Sequence, residues 1–151
     1  MWAHYGHKHK GVCLGFDVVE GGHLLPVRYK AERLTGLLDG LGRGRMTLDE
    51  LTAVLTTKFK DWEYEHEWRI FARLDERAPE DGKYYLNFDP NITLREVILG
   101  ARCDASVADF AALIKTPKQP VKVFKARAAF DSFAMVRQKQ VKIVTVRPSK
   151  S

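Results

Sequence analysis

The sequence predicts an α+β domain with a mixed or mainly antiparallel sheet and two or three helices. Short apolar runs rich in Val, Ile and Phe recur along the chain. Two cap motifs each open a segment with apolar residues at helical spacing. Strands cluster between these helices without a regular βαβ alternation.

In order, Val12 to Asp17 reads as a strand buried on both faces. A turn at Glu20-Gly21-Gly22 leads to a second strand over Leu24 to Tyr29, so that the two form a hairpin. Pro26 suits an edge or a strand start. The Gly- and Leu-rich stretch from Leu34 to Arg45 reads as a short helix and a loop. Thr47 and Glu50 form a capping box, and Leu48, Leu51, Leu55 and Phe59 extend a helix to about Lys60.

From Trp62 to Leu74 the period changes to two. Trp62, Tyr64, Trp68 and Ile70 alternate with Glu63, Glu65, Glu67 and Arg69, which predicts a strand with aromatics inward and charges outward. A loop over 75–83, with Pro79 and Gly82, separates it from a short strand at Tyr84 to Phe88. Glu96 to Gly100 is β-like. Ser106 and Asp109 cap a helix carrying Val107, Phe110 and Ile114 and ended by Pro117. Strands follow at 121–126, 133–136 and 141–146, with a frayed tail at 148–151.

Length and composition fit one domain spanning residues 1–151, with 45% hydrophobic and 29% charged residues. The opening lacks the apolar stretch of a secretory leader, and no apolar run approaches the ~18 residues of a membrane helix. Cys13 and Cys103 are no disulfide framework. These features predict a cytoplasmic protein with free thiols and no membrane partner. The net charge of +6 is uneven: residues 115–151 hold ten Lys or Arg against one acid, Asp131. Such an end can attract phosphate-rich partners, nucleotide or nucleic acid. The simpler reading is that these lysines alternate with Val, Phe and Ile on strands and face water.

Three groups of residues could carry chemistry. His4, His7, His9 and Cys13 are metal-ligand types, but they lack the paired spacing of a zinc site, and no metal is expected. The row Glu63, Glu65, Glu67 and Arg69 could raise one carboxyl pKa or bind hydroxyls; otherwise it is a solvated face. Trp2, Trp62 and Trp68 suit core packing or a wall that stacks a flat ring. Lys10 and Lys58 are candidate phosphate contacts.

The opening seventeen residues resemble the signature of the bacterial domain-of-unknown-function 2971 family. Met1, Trp2, His4, Tyr5, His9, Lys10, Gly11, Gly15, Phe16 and Asp17 fall on its pattern, while His7 does not. Lys58, Trp62, Tyr64, Glu65, Glu67, Trp68 and Arg69 resemble a second block, and Glu96 to Gly100 a third. Family members usually start further upstream, so the resemblance implies either a truncated form or a start chosen late.

The family's layout is distantly similar to ADP-ribosyltransferase-like domains. Those use a Glu-x-Glu whose second carboxylate holds the nicotinamide ribose of NAD; Glu65-His66-Glu67 has that spacing. The resemblance therefore implies catalytic roles for Glu67 and Glu65, with His4, Tyr5, His9, Lys10 and Arg69 as ligand contacts and NAD as the candidate cofactor. The alternative is a non-catalytic binding or interaction module in bacterial stress or phage defence, so enzymatic activity stays open.

Overall fold

The computed structural model describes residues 1–19, 24–36, 42, 44, 46–71, 79–85, 88 and 91–149. Two compact units contain them. One is built from Met1–Glu20 with Asn87–Ser151, the other from Gly21–Leu86.

The first unit has the apolar core. Strands β1 (Val12–Val18) and β6 (Ile92–Leu99) pair antiparallel, and β6 pairs parallel with β7 (Val121–Ala128). The other edge of β7 is shared. Its first half pairs with β9 (Val144–Val146) and its last three residues with β8 (Met135–Arg137), both antiparallel. Helix α2 (Val107–Leu113) crosses over between β6 and β7 and covers one sheet face. Val97, Leu99, Val121 and Val123, from the two central strands, pack there with Val107 and Cys103. Alternation along β6 and β7 sends these side chains to one face, and β-branched Val suits the pleat. The Ser106 hydroxyl accepts from the Asp109 amide, and the Asp109 carboxylate accepts from the Ser106 amide, so the expected cap is present.

The second unit holds two small ladders. Strand β2 (Leu24–Pro26) pairs antiparallel with β5 (Trp68–Ile70), and β3 (Arg28–Lys30) pairs parallel with β4 (Thr57–Phe59). Helix α1 (Leu48–Leu55) precedes β4, and a 3₁₀ turn (Lys60–Glu65) follows it. The α+β class with a mixed, mainly antiparallel sheet is therefore correct, with α-helices at Leu48–Leu55 and Val107–Leu113 and a 3₁₀ helix at Lys60–Glu65.

Several element expectations need correction. Strand β1 is an edge strand with one partner, and Val12 and Leu14 are exposed; it is not buried on both faces. The predicted hairpin does not form, since β1 pairs with β6 whereas Leu24–Pro26 pairs with β5. The span 24–29 is two strands broken at Val27.

The Thr47 box is present, yet α1 ends at Leu55. Thr56 and Thr57 return their hydroxyls to the carbonyls of Thr52 and Ala53, at 2.7 and 2.6 Å, and the chain then turns extended to pair with β3. The largest correction concerns 62–74: among its described residues, 62–71, only Trp68–Ile70 is strand, and Lys60–Glu65 is a 3₁₀ turn closed by His66 in the left-handed region. Tyr84, Tyr85 and Phe88 lie in no strand. The expected turn at 20–22 and part of the 148–151 tail lie outside the described residues, as does much of the predicted helix and loop at 34–45.

Candidate functional site

Within the second unit, the described residues that are buried are Val27, Thr56 and Glu65. A carboxylate is thus among the few interior side chains. The 3₁₀ turn and the left-handed His66, with φ of 47°, shift the phase of the chain. Glu65 then points inward and Glu67 and Arg69 are half-buried, while Tyr64, Trp68 and Ile70 are exposed. From Tyr64 to Ile70 the inside and outside faces are the reverse of the alternation read from sequence, whereas Trp62 is half-buried and Glu63 exposed, as expected.

A buried carboxylate requires a counter-charge. Lys58, on β4, supplies it: its ammonium donates to Glu65 and also to Glu67 Oε2, at 3.2 Å. Arg69 grips the other side of Glu67, with Nε 2.7 Å from Oε1 and Nη2 3.1 Å from Oε2. The remaining Arg69 nitrogen, Nη1, donates to the Leu55 carbonyl at the end of α1. The Glu67 amide donates to the Tyr29 hydroxyl at 2.8 Å. The Arg69 hydrogen bonds, with the Lys58 ammonium second among the favourable contacts, hold the Glu67 carboxyl below its ordinary value. Arg69 is correspondingly pushed up, first by its hydrogen bonds to Glu67. The network joins β4, β5 and α1 through four charged side chains and reaches β3 through the Tyr29 hydroxyl.

Lys58 also lies 4.9 Å over the Trp62 ring. It lines a cleft of about 530 Å³ together with Lys30, Arg33, Leu34, Val54 and Phe59. Lys58 is one of the candidate phosphate contacts visible in the sequence; Tyr29, Lys30 and Arg33 stand in no recognisable motif.

His4, Tyr5, His9 and Lys10 belong to the first unit. Residues 1–11 form a chain of turns in which the Gly11 amide donates to Gly6 and the His9 amide to Trp2. His7, Lys8 and His9 are all left-handed, with φ of 46°, 53° and 67°. That curl presents carbonyls to the end of β6: Gly100 donates to Gly11 at 3.0 Å and Arg102 to His9 at 2.9 Å. A Cβ on Gly100 would lie 2.1 Å from the His9 carbonyl oxygen, so no other residue fits there.

Residues 1–24 match the family model described as Protein of unknown function (DUF2971). The DUF2971 match takes in the curl and β1; the Lys58–Arg69 and Glu96–Gly100 blocks lie outside it. No curated protein and no solved structure matches the chain.

The histidines of the curl form no metal cluster. Among the described residues, no group of three His, Cys, Asp or Glu could hold a metal ion. Cys13 is exposed and Cys103 buried, both free thiols. Trp2 is half-buried and stacks on His9 with ring centroids 6.1 Å apart, Trp62 is half-buried under Lys58, and Trp68 is exposed, so none of the three joins the apolar core. No described helix is long and apolar enough to cross a membrane.

Proposed function

We propose that the unit spanning residues 21–86 binds a nucleotide, with NAD as the candidate ligand, and that Glu67 serves its chemistry as a carboxylate held ionised at neutral pH. The supporting observation is that one residue belongs to both parts. Lys58 lines the cleft with Lys30, Arg33 and one acid, Glu32, and its ammonium contacts Glu67. Cations of the cleft suit phosphates, and exposed Phe59 offers a ring face to a base.

In ADP-ribosyl transfer, nicotinamide leaves with the bonding electron pair and positive charge develops on the ribose. A fixed carboxylate stabilises that charge without forming a bond to it. Arg69 and Lys58 keep Glu67 ionised and in one orientation. The test is release of nicotinamide from NAD by the purified chain. Glu67→Gln is expected to lower the rate by about 10²-fold or more, the scale of removing one electrostatic stabiliser. An unchanged rate rejects the catalytic role.

One observation favours a second reading. The two carboxylates and two cations balance within the quartet, which suits nucleotide binding without catalysis. Saturable NAD binding with no nicotinamide release by the unaltered protein would select it.

A further inference from the structure

The turn between β7 and β8 carries Phe130 and Phe133, which are 94% and 115% exposed. They are the most exposed large hydrophobic side chains among the described residues. The turn is closed at its base by the Ala129 amide donating to Ala134 at 2.9 Å, so the rings are held on a pinned hairpin. The Arg127 guanidinium lies 4.4 Å over the Phe130 ring. Behind the tip is an open cleft of about 880 Å³, lined by both phenylalanines and by Trp2 and His9, whose rings are within 7° of parallel.

The cleft itself is lined by one acid, Asp131, and the cations stand beside it along the hairpin. Arg137 and Lys139, on and just after β8, are exposed. They belong to the stretch 115–151 with its ten basic residues. Flat rings interleaved with cations are what unpaired bases on a phosphate backbone require. Bases stack on aromatic faces regardless of sequence, and Lys and Arg displace the counterions of the phosphates.

We propose that the β7–β8 hairpin and the Trp2–His9 cleft form a binding surface for single-stranded nucleic acid. Phe130, Phe133 and the Trp2–His9 pair stack on bases, and Arg127, Arg137 and Lys139 meet phosphates. An anionic lipid surface would also attract this charge, but two of the four rings line a concave cleft and not the tip, which suits a threaded strand.

The test is fluorescence anisotropy of a labelled twelve-nucleotide single strand titrated with the full chain at about 50 and 200 mM salt. Saturable binding is expected at low salt, weakened tenfold or more at high salt. The double variant Phe130→Ala, Phe133→Ala is expected to weaken it at least about tenfold, the scale of losing a stacked base. Both rings are exposed, so an unchanged thermal melt of the variant separates lost stacking from lost fold. Salt-sensitive binding that survives the double substitution would overturn the proposal, leaving charge alone. Absence of binding at low salt, or sedimentation with anionic vesicles in preference to the oligonucleotide, would overturn it as well.

Discussion

Arg69 holds Glu67 with two donors of one guanidinium, at 2.7 and 3.1 Å, although the two residues stand only two positions apart. In a regular strand such neighbours share a face but are not clamped together. Here the left-handed His66 ahead of them and the Leu55 carbonyl behind Arg69 set the angle. The clamp gives Glu67 a lowered pKa, with Arg69 the main cause and Lys58 the next favourable contact.

A pH dependence follows. The folded value lies below the ordinary 4.5, so the clamp stabilises fully above the unfolded value and is lost as pH falls through the folded one. Thermal melts of the protein should therefore lose stability below about pH 4.5. Glu67→Gln should flatten that acid limb, and an identical acid profile in the variant would contradict the clamp.

Lys58 is the counter-charge of a buried carboxylate. Lys58→Met strips Glu65 of that ammonium and should cost about 3 kcal/mol in urea unfolding. The double variant Lys58→Met, Glu65→Leu removes both charges together and should recover most of the loss. Additive effects in the double-mutant cycle would show that the two residues act independently.

Gly100 marks where the curl meets the sheet. Gly100→Ala places a methyl 2.1 Å from the His9 carbonyl, which cannot be relieved by a side-chain rotation. It should destabilise by about 2 kcal/mol or more, within the range of overpacking. Gly36→Ala, with nothing within 4 Å, is the matched control and should change the melt little.

The cap of α2 is a smaller effect. Ser106→Ala removes the acceptor for the Asp109 amide and should cost about 1 kcal/mol, while Ser106→Asp should retain most of the stability. Denaturant midpoints of the two variants separate the cap from general polarity.

The parts of the fold legible in the sequence are those fixed by local chemistry. Both caps were readable because Thr47 and Ser106 each stand three residues before a carboxylate that answers them. The central strands were readable because Val97, Leu99, Val121 and Val123 face one core. Pairing was not readable. Partnering of β1 with β6, and of β3 with β4, depends on distant segments, and nothing in Val12–Val18 names its partner.

The carboxylate row was misread for a physical reason. Alternating aromatic and charged residues favour aromatics inward, but Lys58 can neutralise Glu65 from a neighbouring strand, and that pairing permits the opposite orientation. Lys58 stood in view in the sequence; its position beside Glu65 and Glu67 is a tertiary fact. Tyr29 carried no signal at all, because its hydroxyl serves a backbone amide thirty-eight residues away.

The most direct test of the nucleotide reading is calorimetric titration of the purified chain with NAD, repeated on the double variant Lys30→Ala, Arg33→Ala. Both residues line the cleft outside the ion-pair quartet, so their loss should leave the fold intact. Saturable one-site binding is expected, weakened about tenfold or more in the double variant, the scale of losing two charged contacts. A well-folded chain that takes up no NAD, or that binds it equally well without Lys30 and Arg33, would contradict that reading.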